Sequence, residues 1–176
     1  MSIERTILSN LVFNEEYARK VIPFIKSDYF HDYSERVVFE LIDEYVKKYN
    51  GFPSIEAIAI DLTNKSGLNE DAFSGSKSVI ASLEFDGATK EEWLIDQTEK
   101  FCQDKALYGA IMKSIKIMDQ SDKSLSKGSI PSILTDALAV SFDTHIGHDF
   151  LEDADARYDF YNKKEQRIPF DLEYFN

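Results

Sequence analysis

VIPFIKSDYFHDYSERVVFELIDEYVKKYNGFPSIEA, residues 21–57, indicates a helical fold, because its pattern predicts two amphipathic helices separated by a turn. In the first helix, apolar residues recur at helical spacing and form one stripe: Val37, Val38, Leu41, Ile42, Tyr45 and Tyr49. Charged residues occupy the other side, which we expect to face solvent: Glu35, Arg36, Glu40, Asp43, Glu44, Lys47 and Lys48. Gly51 can take the positive φ that ends this helix. Pro53 and Ser54 can then start the next one, whose stripe is Ile55, Ile58 and Leu62.

The composition of the whole chain favours a helical domain in a reducing compartment. Its 176 residues are 43% hydrophobic, which is enough to build a core. Only seven Gly and four Pro interrupt the sequence, so long helices are expected. The single cysteine, Cys102, excludes an internal disulfide and is interpreted as a small apolar filler. The sequence contains no apolar span of about twenty residues, so no membrane contact is expected.

The charge of the chain limits its partners. A net charge of −12 disfavours tight, sequence-independent binding to nucleic acid, which requires Lys and Arg to neutralise phosphates. The basic cluster Lys163, Lys164 and Arg167 follows an acidic run and is interpreted as complementing the dipole at a helix end. We therefore expect single-stranded DNA to bind weakly, if at all, and the main partners to be proteins.

Residues 89 to about 119 predict one long helix, which starts at a Thr89–Glu92 capping box. A helix of about thirty residues spans roughly 45 Å, which a domain of this size cannot cover completely. The polar run QSDKSLSKGS, residues 120–129, predicts a flexible loop, and Pro131 is suited to the first turn of a returning helix.

Together the two helices predict an antiparallel hairpin that associates with another copy of the chain. The apolar residues expected to supply this contact are Phe101, Tyr108, Ile111, Met112, Ile115, Ile133, Leu134 and Leu138. The alternative is that these stripes pack only on their own domain. The excess length of the long helix favours the contact between copies.

The last part of the chain predicts a short helix, EDADARYDFYNKKEQ, residues 152–166, after a loop that contains glycine. Its narrow apolar stripe consists of Leu151, Ala154, Tyr158 and Tyr161. Such a helix is marginal alone and gains stability by docking on a partner.

Motifs spread along almost the whole chain resemble the N-terminal domain of DnaB-family replicative helicases, in the version found in large tailed phages. They are residues 7–13, the Asp28-Tyr29-Phe30 turn, the Gly-x-Pro-Ser turn at 51–54, Ser141-Phe142-Asp143, Gly147-His148-Asp149 and residues 168–172. Cellular members usually carry a His-Arg pair where this chain has Ser34-Glu35-Arg36. This departure favours a phage-type member.

The resemblance implies an all-α fold with three parts. Residues 1–88 correspond to a small helical globular collar domain, and residues 89–142 to a long helical hairpin. Residues 143–176 correspond to a loop, a C-terminal linker helix and the start of the motor domain. In the family, the linker helix docks on the motor of a neighbouring subunit, so Leu151, Ala154, Tyr158 and Tyr161 are the expected docking residues.

The resemblance also implies the function of an assembly and interaction domain. Relatives pair through their hairpins into a dimer or a hexameric ring, which is a trimer of dimers around single-stranded DNA, and contact primase and the helicase loader. ATP and magnesium are expected only in the motor, which moves five-prime to three-prime. The place of action would be the cytoplasm of the infected bacterial host. The alternative is an independent small acidic phage adaptor, or DNA mimic, that binds a replication factor.

Catalytic chemistry has little support in these residues. The sequence contains no G-x-x-x-x-G-K-[ST] motif, so no P-loop is present to hold a triphosphate, and this chain alone is not expected to be an enzyme. His145 and His148, with Asp143, Asp149 and Asp153, are the weak candidate for a metal site, but a solvated polar loop is the preferred interpretation. We therefore predict no catalytic, cofactor or metal residues.

Overall fold

The computed structural model describes residues 2–85, 87–121 and 124–142, and in these ranges the chain forms seven α-helices and no strand. The helices are α1 (Ile3–Phe13), α2 (Glu15–Val21), α3 (Tyr33–Tyr49), α4 (Ile55–Asn64), α5 (Glu70–Ala81), α6 (Glu91–Met118) and α7 (Ile130–Leu138). Short 3₁₀ turns lie at Ile22–Phe24, Ser27–Tyr29 and Lys127–Ser129. The predicted all-α class is confirmed. None of the described helices is long and apolar enough to cross a membrane.

The first compact unit of the chain runs from Met1 to Phe142, and a second begins at Asp143, outside the described residues. The predicted linker helix therefore lies outside the description, with its docking residues Leu151, Ala154, Tyr158 and Tyr161. The same holds for the histidine-containing loop that was the candidate metal site. The division of the chain at residues 88 and 89 stays a prediction.

Helix α3 is the central helix of the core. Five of its residues are almost completely buried: Val37, Val38, Phe39, Leu41 and Ile42. The predicted stripe is therefore correct near the start of the helix, but Tyr49 at its end is 57% exposed. Tyr45 and Tyr49 instead contact each other at the surface, with ring centroids 4.7 Å apart.

The solvent-facing position predicted for Glu35 is wrong. Its carboxylate is buried and accepts a hydrogen bond from Arg5 Nε of α1 at 3.0 Å. The same guanidinium donates from Nη1 to the Ser82 hydroxyl at 3.2 Å. This pairing satisfies a charge that would otherwise be costly to bury, and it joins α1 to α3 and to the end of α5.

Polar residues cap both ends of α3. Asp32 accepts hydrogen bonds from the backbone N–H groups of Ser34 and Glu35, which satisfies two donors left open at the start of a helix. At the other end, Asn50 takes the left-handed conformation with φ of 51°, and its N–H donates to the Val46 carbonyl. The prediction that Gly51 holds the positive φ is wrong by one residue. Asn reaches this conformation more readily than other residues that carry a side chain.

Candidate self-association surface

The first half of α6 belongs to the core. Leu94, Thr98, Phe101 and Cys102 are all buried. The Thr98 hydroxyl lies 2.7 Å from the Tyr17 hydroxyl of α2, which gives both buried groups a hydrogen-bond partner. Burial raises the pKa of the Cys102 thiol to about 12 and also raises the pKa of Tyr17. This half of the helix therefore fastens α6 firmly to the rest of the unit.

The second half of α6 packs against α7 as an antiparallel hairpin. Ala110, Ser114 and Ile117 are buried on this side of α6, and Ala137 is the buried residue of α7. The Ser114 hydroxyl donates to the Ala110 carbonyl one turn earlier at 2.7 Å, so it adds no unsatisfied polar group. Apart from Ile117, these side chains are small, and several large apolar residues nearby stay exposed.

Those large residues remain exposed along another side of α6. We define the exposed stripe as Tyr108, Ile111, Met112, Ile115 and Met118, together with Leu138 of α7. Tyr108 is 65% exposed and Leu138 is 70% exposed. Each α6 member lies three or four residues from at least one other member, so the five share one side of the helix. A run of large apolar side chains of this kind is typical of an interaction surface.

The structure places the residues that the sequence predicts for self-association in three environments. Tyr108, Ile111, Met112, Ile115 and Leu138 lie in the exposed stripe. Ile133 and Leu134 are half-buried on α7. Phe101 is only 6% exposed and packs against Tyr29 and Phe30, with ring centroids 6.4 Å and 6.0 Å away.

Phe101 is thus a core residue of its own subunit, although it shares the seven-residue spacing of Tyr108 and Ile115. Conversely, Met118 is 60% exposed and extends the stripe by one turn beyond the last α6 residue predicted for contact. Its offset of three from Ile115 is the sequence signal that would have included it.

The side chains of the stripe are suited to apolar binding. Its members are aliphatic, thioether and phenol side chains, which gain free energy by leaving water at about 25 cal/mol for each Å² of apolar area buried. Methionine adds an unbranched, adaptable side chain that can fill irregular gaps at a contact. The arrangement therefore fits association with another apolar surface.

Comparison with known proteins gives the family of this chain. No protein-family model matches the sequence. The chain is, however, 36% identical to the "DnaB-like replicative helicase" of Enterobacteria phage T4 over 97% of its own length. It spans 37% of the length of that relative. Over nearly all of its residues, this chain is therefore homologous to one region of a phage DnaB-like replicative helicase, as the motifs in its sequence predicted.

Proposed function

We propose that this chain is the assembly and protein-interaction region of a phage replicative helicase, and that copies associate through the exposed stripe. The observation that carries this proposal is the stripe itself, which leaves five large apolar residues of one helix in water. A second copy with the same surface is a partner of matching chemistry, as in symmetric homodimers. Association would bury the apolar area that the hairpin leaves uncovered.

The proposal extends to the partners and location that the family resemblance implies. Paired subunits would form the collar of a hexameric ring and present a platform to primase and the helicase loader. ATP and magnesium would act in a motor domain outside this chain, within the infected bacterial cytoplasm. Similarity across 97% of the chain to a helicase favours this role over that of an independent acidic adaptor.

Sedimentation velocity of purified variants tests the self-association. At about 50 μM, a concentration suited to modest interfaces, we expect the wild type to sediment as a dimer or a larger species. Ile111→Asp and Ile115→Asp should be monomeric, because association would bury a carboxylate without a partner at a cost of about 3 to 5 kcal/mol. Both side chains are exposed in the single subunit, so the helical circular dichroism should not change.

Ile60→Asp is the matched control. Ile60 is 61% exposed on α4, outside the stripe, and the change is chemically identical. This variant should associate like the wild type. A wild type that is monomeric at this concentration, or an Ile60→Asp variant that dissociates as completely as Ile111→Asp, would contradict the proposal.

A further inference from the structure

The last residues of the first unit are held by side chains of α6. Helix α7 ends at Leu138, and residues 139–142 continue without helical structure. The backbone N–H of Phe142 nevertheless donates to Glu99 Oε1 at 3.0 Å. Gln103, one turn further along α6, donates from Nε2 to the Val140 carbonyl at 3.1 Å. Two residues of α6 thus bind the backbone of a segment about forty positions later in the sequence.

The two side chains act together. Gln103 Nε2 also lies 3.2 Å from Glu99 Oε1, so the amide donates to the same carboxylate oxygen that accepts from Phe142. A carboxylate is a stronger acceptor than a neutral carbonyl, and the neighbouring amide orients it. The Glu99 carboxylate therefore accepts from two donors, and Gln103 connects it to the Val140 carbonyl.

Aromatic packing reinforces the same segment. The Phe142 ring is stacked on the Phe24 ring, with centroids 4.6 Å apart and planes inclined by 24°. Val140 and Phe142 are both partly buried against the core. An offset aromatic pair of this geometry adds stability beyond the area that it buries. Irregular backbone at the end of a compact unit usually frays unless it is tied down in this way.

The contact between Glu99 and Phe142 restrains helix α7, because of where Glu99 lies on α6. Glu99 lies in the half of α6 whose neighbours Thr98, Phe101 and Cys102 are buried in the core. The loop between α6 and α7 closes the hairpin at its tip, and the Glu99 contact closes it at its base. Helix α7 is consequently restrained at both ends against sliding along α6.

We propose that Glu99 and Gln103 form a latch that fastens the end of the hairpin to the core. The point from which the chain continues past Phe142 then moves with the core. Opening of the latch is a local event that frees residues 139–142 and the last turn of α7 without unfolding α3. This goes beyond the proposed self-association, because every contact involved lies within one subunit.

Hydrogen exchange of the whole chain, followed by NMR at single amides, tests the latch. In the wild type the Phe142 amide should be protected, because its N–H is bonded to the carboxylate. In Glu99→Ala it should exchange at least about tenfold faster, since a hydrogen bond to a charged group is lost. The Val38 amide in α3 reports global opening and should be unaffected.

Asp96→Ala is the matched control, because Asp96 is an exposed carboxylate on the same helix, and its removal changes the charge equally. Exchange at Phe142 should remain within about twofold of wild type in this variant. Equal acceleration in both variants, or none in Glu99→Ala, would overturn the latch. An unprotected Phe142 amide in the wild type would do the same.

If Glu99→Ala unfolds, Glu99→Gln tests the latch in its place. The amide keeps an oxygen acceptor but lacks the charge, so Phe142 should exchange faster than in the wild type while Val38 keeps its rate. Uniform acceleration of both amides would mean that Glu99 acts on global stability, and the latch would be rejected. The result of these measurements does not depend on self-association, so the latch and the proposed function are tested separately.

Discussion

The buried thiol of Cys102 makes the free energy of unfolding depend on pH. The thiol lies in the half of α6 that packs on the core, and burial raises its pKa to about 12 because the thiolate would lose its hydration. In the unfolded chain the thiol loses its proton near its ordinary pKa, about 8.5. Between these two values the unfolded state binds fewer protons than the folded state, so the free energy of unfolding falls as the pH rises.

We therefore predict that alkaline pH destabilises the protein in part through Cys102. Urea unfolding between pH 8 and pH 11 should give a free energy of unfolding that declines with pH, by at most about 1.4 kcal/mol per unit from this group. Cys102→Ala should have a shallower slope, although the pKa values of Tyr17 and Tyr29 are also raised and preserve part of it. An unchanged slope in this variant would contradict the assignment, as would alkylation of the native thiol at the rate of a free one.

Individual residues also show where sequence patterns fail. Polarity alone placed Glu35 in solvent, because its partner Arg5 is thirty residues away and only the packing of α1 on α3 brings the two together. The end of α3 was predicted at Gly51, whereas Asn50 has the positive φ. Both residue types tolerate that conformation, and local sequence cannot choose between adjacent candidates.

At the level of helices, α5 and α3 approach each other so closely that a side chain at Gly75 would displace Ser34. A Cβ added at Gly75 would lie 3.3 Å from Ser34 Cβ and would press on the Ser34 hydroxyl. At Gly109 in α6, nothing lies within 4 Å of an added Cβ. Both glycines lie within helices, but Gly75 is closely packed and Gly109 has open space beside it.

We predict opposite effects for the same substitution at these two positions. Gly109→Ala should raise the free energy of unfolding by about 0.5 to 1 kcal/mol, because alanine loses less backbone entropy in a helix. Gly75→Ala should lower it by about 1 kcal/mol, since α3 and α5 must separate slightly to admit the methyl group. Urea titration of both variants at low protein concentration measures the difference. If Gly75→Ala gained as much stability as Gly109→Ala, the predicted clash between α5 and α3 would be wrong.

The helices themselves were more predictable than their environments. The long helix, the return helix starting near Pro131 and the Ser54 cap of α4 all follow from periodicity and from residues with known terminal preferences. The start of α6 differs from the prediction by one residue, because Lys90 and not Thr89 occupies the N-cap position. The predicted contact also grouped Phe101 with Tyr108, seven residues later. Periodicity identifies one side of a helix, but it does not say which neighbour covers that side at each turn.

For the whole molecule, the net charge of −12 opposes the association proposed for the exposed stripe. Copies of the chain repel each other at long range, and salt screens this repulsion, whereas burial of apolar area does not depend on opposite charges. We predict that the dissociation constant falls about severalfold when sodium chloride is raised from about 0.05 M to 0.5 M.

Sedimentation at the two salt concentrations measures this effect, with Ile111→Asp as a control that should stay monomeric at both. Weaker association at high salt would mean that ion pairs, and not the apolar stripe, hold the copies together. Binding to single-stranded DNA should also be weak at physiological salt, because the phosphates carry charge of the same sign as the protein.

Helix α6 is long enough that a small tilt in the core would become a large displacement at its far end. It is anchored in the core as far as Cys102 and carries the exposed stripe out to Met118, roughly 24 Å further along its axis at 1.5 Å per residue. A tilt of about 10° at the anchored end would therefore displace the tip by roughly 4 Å. A change in the packing of Leu94 or Phe101 that tilts α6 would therefore displace its far end more than its anchored end. In the proposed assembly, the spacing of subunits would thus depend on core residues outside the exposed stripe.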